Sequence, residues 1–211
     1  VSYALATAYG ETGGKMQPVE ENLRYSATRI GQIFSSERRQ GVSIKKFAYN
    51  PELLANTVYG GEWGNENLGN IHYGDGWKFR GRGLAQATGR ANYAKLSAII
   101  GIDFLSNPDK MLLPEFAARV TLFEAMAAGI YTGKSFRQFL PLSGHASFRN
   151  FDDARVIING RAKGDDKYAH WAVSFQKALF EEGFVKVVPE VIVETPKPKT
   201  VWEIIMGWFT K

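Results

Sequence analysis

The chain has 211 residues, no cysteine, three histidines and a formal net charge of +5, with a pI of about 9.3. This length suits a single domain with a substantial core, and the missing cysteine excludes a disulfide scaffold, thiolate metal sites and thiol nucleophiles. The positive balance favours a polyanionic partner, such as nucleic acid, anionic lipid or a bacterial wall, without choosing among them. His72, His145 and His170 have no ligand spacing, so no metal or other cofactor is expected. No apolar run reaches the roughly 18 residues of a membrane span. No signal-peptide pattern appears, and Val1 opens inside a helical pattern, so a trimmed start is expected.

Tyr3 to Tyr9 is apolar and Ala-rich, which predicts a helix with Leu5, Ala8 and Tyr9 on its buried stripe. Gly13-Gly14 ends it and Pro18 keeps the next stretch out of helix. Glu11 then falls at the last helical turn, and Glu20 in an open loop. On one straight helix the intervening residues would rise about 13.5 Å and put the two carboxylates on opposite faces. With the Gly-Gly break the chain folds back, so Glu20 can face Glu11. Such a pair suits glycosidic bond cleavage, with Glu11 as the drier, protonated acid and Glu20 as the ionised base. Solvated surface carboxylates are the bland alternative.

Further along, Ser26 caps a helix over residues 27–34, and residues 37–46 form a basic connector. Asn50-Pro51-Glu52 starts a helix that ends at Gly60-Gly61. Residues 62–76, crowded with Gly, Asn and Asp, read as a long shaped loop bracketed by Trp63 and Trp77, whose rings can stack on sugars or pack in a core. Gly81-Arg82-Gly83-Leu84-Ala85-Gln86-Ala87-Thr88 brings backbone close to a ligand, and Gln86, Thr88 and Asn92 supply neutral hydrogen-bonding groups. If extended, Gln86 and Thr88 point the same way. Helices are predicted over residues 92–100, 114–128 (Phe116, Val120, Phe123 and Ala127 inward), 152–158 and 165–182 (Tyr168, Trp171, Phe175 and Leu179 inward). Residues 185–200 read as a Pro/Lys linker, and 201–211 as an amphipathic helix.

Three of these stretches, in this order, resemble family 19 glycoside hydrolases, a group of chitinases and phage endolysins. They are Glu11-Thr12-Gly13-Gly14 followed by Val19-Glu20-x-Asn22, then Gly81-Arg82-Gly83-x-x-Gln86-x-Thr88, then Ile158-Asn159-Gly160. The family usually has His before the first Glu, where this chain has Gly10, and Gly where it has Arg161. The resemblance implies a mainly α, lysozyme-like, two-lobed domain with a substrate cleft, covering residues 1–184. It implies catalytic roles for Glu11 and Glu20, with the Thr88 hydroxyl helping to hold the attacking water, and inversion with carboxyl groups about 6.5–9.5 Å apart. Glu21 is the neighbour most easily confused with Glu20; the Val-Glu-x-Asn match selects Glu20. Gln86, Asn92 and Asn159 would bind sugar, and Trp63 and Tyr25 are further substrate-binding candidates.

The wording Glu21-Asn22-Leu23-x-Tyr25-Ser26 and the basic balance resemble the endolysin branch more than secreted chitinases. The expectation is a monomeric N-acetylmuramidase made in the host bacterial cytoplasm and acting on peptidoglycan in the periplasm. No nucleic-acid partner is expected. The terminal segment, with Trp202, Trp208 and flanking Lys197, Lys199 and Lys211, is a candidate contact to anionic bacterial membrane, or else docks on the domain itself. A chitinase and an inactive wall-binding module are the alternatives.

Overall fold

The computed structural model describes residues 1–158 and 166–184, with the backbone alone for Val120 and Thr121. The expectations for Asn159, the 185–200 linker and the 201–211 helix lie outside the described residues. The described chain is mainly helical, as expected. Its elements in order are α1 (Ser2–Glu11), β1 (Val19–Glu20), α2 (Ala27–Ile33), α3 (Ile44–Phe47), α4 (Pro51–Val58), α5 (Gly61–Leu68), α6 (Asp75–Lys78), β2 (Arg82–Gly83) and α7 (Arg90–Ile100). A 3-10 turn over Pro108–Leu112 leads to α8 (Pro114–Phe116), a π-helical stretch Ala117–Glu124 and α9 (Ala125–Ala128). A 3-10 turn over Phe136–Gln138 precedes α10 (Phe148–Asp153), which runs into a 3-10 turn over Ala154–Ile157, and α11 (Lys167–Glu181) closes the described chain.

Local chemistry explains the helix ends. Ser26 accepts a hydrogen bond from the Arg29 amide, and Asn50 from that of Leu53, with Pro51 in the first turn. Gly13 and Gly14 take φ of 60° and 83°, a region open to glycine, and end α1 just past Glu11. Where a loop was expected after Gly61, there is instead the eight-residue α5. Its glycine is there for packing: a Cβ on Gly64 would lie 2.1 Å from the Tyr59 carbonyl oxygen. Packing of its end on α7, where Gly69 meets Ala91 and Gly89 meets Leu68, overrides the poor helix propensity of Gly and Asn.

The helix expected over 114–128 is continuous in span but changes winding at Ala117. A π-turn takes an extra residue, so the inward stripe rotates. Ala117, Leu122, Ala125 and Met126 are buried, whereas Phe123 and Ala127, both expected inside, are exposed. In α1 the expected stripe is likewise too narrow. Tyr3, Ala4, Ala6, Thr7 and Ala8 are all buried, while Tyr9 remains 37% exposed. This helix packs most extensively on α11, and Leu84 and Ala85 of the β2 turn join the same cluster.

Three hydrophobic clusters form the core. The first gathers α1, the π-helical stretch, α10 and α11. The second centres on Phe79, Tyr93, Leu96, Phe104 and Met111, and Tyr131 packs against both. The third holds Leu23, Ile30, Phe47, Leu54 and Val58, so it receives the chain directly after β1.

A buried ion pair fixes α6 to α7. Asp75, with 3% of its side chain exposed, accepts from Arg90 Nε at 2.7 Å and Nη2 at 2.6 Å, and from the His72 amide at 3.0 Å. Burial pushes its carboxyl up, but the Arg90 and His72 bonds outweigh this and hold it below the usual value. A depressed folded value contributes stability above the unfolded carboxylate range, lost as pH falls through the folded one. We expect Asp75→Asn to cost about 3 kcal/mol near pH 7, because Arg90 keeps an uncompensated charge. In urea unfolding, the gap between wild type and variant should shrink steadily as pH is lowered below about 4.

Candidate active site

The two candidate carboxylates arrive on different supports. Glu11 ends α1, with a fifth of its side chain exposed. Its Oε1 accepts from Tyr168 Oη at 3.0 Å and from Arg155 Nη2 at 3.2 Å. Tyr168 opens α11 and Arg155 lies in the 3-10 turn after α10, so both donors come from the C-terminal part of the first cluster. The guanidinium of Arg155 also sits 3.9 Å from the centre of the Tyr168 ring.

Glu20 does not lie in an open loop. β1 pairs antiparallel with β2, Val19 opposite Gly83 and Glu20 opposite Arg82. Glu20 Oε1 meets Arg80 Nη2 at 2.5 Å and Arg82 Nε at 3.1 Å. The adjacent Glu21, the first residue past β1, points elsewhere. It accepts from Tyr59 Oη at 2.5 Å and from the Gly81 amide at 3.1 Å.

Gly81 is the centre of a cup. A Cβ placed there would be 2.9 Å from Gln86 Oε1, 3.3 Å from Thr88 Oγ1 and 3.3 Å from Glu21 Cβ. The amide of Gln86, the hydroxyl of Thr88 and the stem of Glu21 therefore close in on Gly81 more tightly than a side chain there would allow. Gln86 reaches it through a left-handed backbone (φ 52°) instead of an extended one. Its Nε2 donates to the Val19 carbonyl at 2.8 Å and to that of Gly83 at 3.2 Å, which turns Oε1 toward Gly81. A non-glycine residue in this region is uncommon and worth a functional reading. Thr88 Oγ1 donates to the Gln86 carbonyl at 3.0 Å, so its oxygen remains an acceptor.

The other expected site residues divide. Tyr25 is beside the group: its phenol is raised by burial and then by the Glu21 charge, against the pull of Arg29. Asn92 donates to the Thr88 carbonyl at 2.8 Å, so it supports the loop that carries Thr88. Trp63 stands apart. Arg38 covers its ring at 3.1 Å, and it lines a cavity of about 470 Å³ with Glu37, Gln40 and Val58. None of its contacts among the described residues is with Glu11, Glu21, Gln86 or Thr88.

Gly81, Tyr59, Arg155 and Tyr168 escaped the sequence reading. Gly81 was legible only as permissive backbone, and nothing local marks a tyrosine or arginine from far along the chain as a carboxylate partner. Tyr59 is itself held well above its ordinary value, by burial first and then by the Glu21 charge and hydrogen bond, so it stays a neutral donor.

No protein-family model matches the chain. Over 99 residues it is 41% identical to a glycosyl hydrolase family 19 domain-containing protein of Haemophilus influenzae, an alignment covering 47% of this chain and 48% of that protein. The chain thus aligns with about half the length of the curated relative. This likeness and the helical fold support the family 19 resemblance carried by the three motifs.

The Tyr59–Glu21 bond tests the site's stability. A hydrogen bond to a charged group contributes about 1.5–3 kcal/mol. We expect Tyr59→Phe to lose about that much in denaturant unfolding, with the helical circular dichroism signal unchanged.

Proposed function

We propose that the chain is a glycoside hydrolase that cleaves β-1,4 bonds of bacterial peptidoglycan as an N-acetylmuramidase, in the manner of a phage endolysin, with inversion at the reacting carbon. The observation that carries this reading is the group gathered at Gly81, whose amide donates to the Glu21 carboxylate while the Gln86 amide and the acceptor hydroxyl of Thr88 lie against the glycine. A second carboxylate, Glu11, ends a helix on a separate support. In this reading Glu11 gives its proton to the leaving glycosidic oxygen as the C1–O bond breaks. A water attacks C1 from the opposite face and passes its proton to the second carboxylate. Gln86 and Tyr25 contact sugar.

Glu21 fits the water-activating role better than Glu20. Glu21 shares the Gly81 position with Thr88, whose oxygen can accept the water's other hydrogen. Glu20 is engaged by Arg80 and Arg82 and ties β1 to β2. The Val-Glu-x-Asn spacing favours Glu20, so the two are separated by experiment. Peptidoglycan is preferred over chitin on the Glu21–Ser26 wording and on the net charge of +5, which suits an anionic wall.

We expect Glu11→Gln and Glu21→Gln each to lower lysis of purified peptidoglycan sacculi by about a hundredfold or more, the scale of a lost acid or base. Glu20→Gln should stay within about tenfold of wild type and lose thermal stability instead. Loss in Glu20→Gln with activity kept in Glu21→Gln reverses the assignment. Mass spectrometry of the digest should find new N-acetylmuramic acid reducing ends, with the α-anomer appearing first by NMR. New N-acetylglucosamine ends would make it a glucosaminidase. Activity on chitin oligomers alone would make it a chitinase, and binding without cleavage a wall-binding module.

A further inference from the structure

The residue before Glu11 has no side chain, and the space it would need is filled. A Cβ on Gly10 would fall 2.3 Å from Tyr168 Cε1, 2.7 Å from its Cζ and 2.9 Å from Trp171 Cζ3. Alanine would already collide here. The glycine lets α11 lie close enough to α1 for the Tyr168 hydroxyl to reach Glu11. Arg155 is brought to the same carboxyl by stacking on the Tyr168 ring, with only 6% of its side chain exposed. Both donors address Oε1 of Glu11, and no described residue donates to Oε2.

We propose that Tyr168 and Arg155 are positioning residues for Glu11: by engaging Oε1 they assign the transferable proton to Oε2, and they stabilise the carboxylate left when that proton passes to the leaving oxygen. The proposal rests on the reading of Glu11 as the acid. Its physical basis is differential. While Glu11 is protonated, Oε1 is a neutral carbonyl acceptor. As the proton leaves, negative charge grows on the carboxyl and hydrogen bonds to it strengthen about twofold. Interactions that are stronger in the transition state than in the ground state raise kcat with little effect on KM. Among the described residues, the other titratable groups facing this corner include Tyr3 of α1, Lys167 of α11 and Tyr131. The Tyr3 phenol is pushed up to about 12 by burial, against the pull of Arg155, and so keeps its proton across the working range. Burial also raises Tyr131, reinforced by Tyr93 and Glu11.

The test is the rate of the full chain against the concentration of purified peptidoglycan sacculi, for wild type, Tyr168→Phe and Gly10→Ala. Removing the hydroxyl should lower the limiting rate about tenfold or more and leave half-saturation unchanged, because the lost bond is stronger in the transition state than in the ground state. Gly10→Ala should displace the Tyr168 ring and lower the limiting rate in the same way. A wild-type limiting rate in Tyr168→Phe would overturn the proposal, and so would a loss that falls on half-saturation as much as on the limiting rate, which marks a structural role. Glu11→Gln separates the two readings. If it is inactive while Tyr168→Phe behaves as wild type, only the positioning role fails. If Glu11→Gln keeps full activity, the acid assignment falls and this proposal with it.

Discussion

The guanidinium of Arg82 is the interaction on which the candidate site depends. Only 2% of the side chain is exposed. A charge this deep is tolerated only when paired and hydrogen-bonded, and Arg82 meets that condition with groups from four parts of the chain. Nη1 donates to the Lys78 carbonyl at 2.8 Å and to the Tyr93 hydroxyl at 3.1 Å, Nη2 pairs with Asp109 at 2.9 Å, and Nε stands 3.1 Å from Glu20. The end of α6, the body of α7, the 3-10 turn at Pro108 and the N-terminal strand are thereby tied to one residue. Two-residue strands are too short to be stable alone. The pairing of β1 with β2 therefore draws its permanence from this side-chain node, and the Gly81 cup lies immediately before it.

Two glycines set the spacing on either side of that node. Both let neighbours approach more closely than a side chain would permit. At Gly81 the neighbours are polar atoms of Gln86 and Thr88, gathered beside Glu21. At Gly10 they are the Tyr168 and Trp171 rings, which suits close helix packing. The same residue type thus gathers hydrogen-bonding groups in one place and packs helices in the other, and only the neighbours distinguish the two uses. The α1–α11 contact in turn gives Glu11 a fixed direction, since its Oε1 partners are both supported by the first hydrophobic cluster.

The parts of the fold that were legible from sequence are those governed by local chemistry. Ser26, Asn50 with Pro51, and Gly13-Gly14 each end or begin a helix where their side chains, or lack of one, require it. The parts that were not legible are governed by contacts distant in sequence. Residues 61–68 look like loop by composition, but form α5, whose end packs on α7 where Gly69 meets Ala91 and Gly89 meets Leu68. The π-helical winding at Ala117–Glu124 leaves the apolar pattern of residues 114–128 looking like an ordinary helix, while the burial of Leu122 and exposure of Phe123 follow the altered pitch.

The same division runs through the site. Glu11, Gln86 and Thr88 could be picked out because their own motifs carry them, yet the choice between Glu20 and Glu21 turns on strand register. Spacing counted along a loop treats neighbouring residues as nearly equivalent. Here Glu20 is the last residue of β1 and Glu21 the first beyond it, and the two carboxylates take entirely different partners. The register is visible only after Val19 is seen opposite Gly83 and Glu20 opposite Arg82. That pairing sends Glu20 toward the arginines and leaves Glu21 with Tyr59, the Gly81 amide and the Thr88 side of the turn. A two-residue strand, too short to register in any periodicity, thus decides which carboxylate stands beside the acceptor hydroxyl.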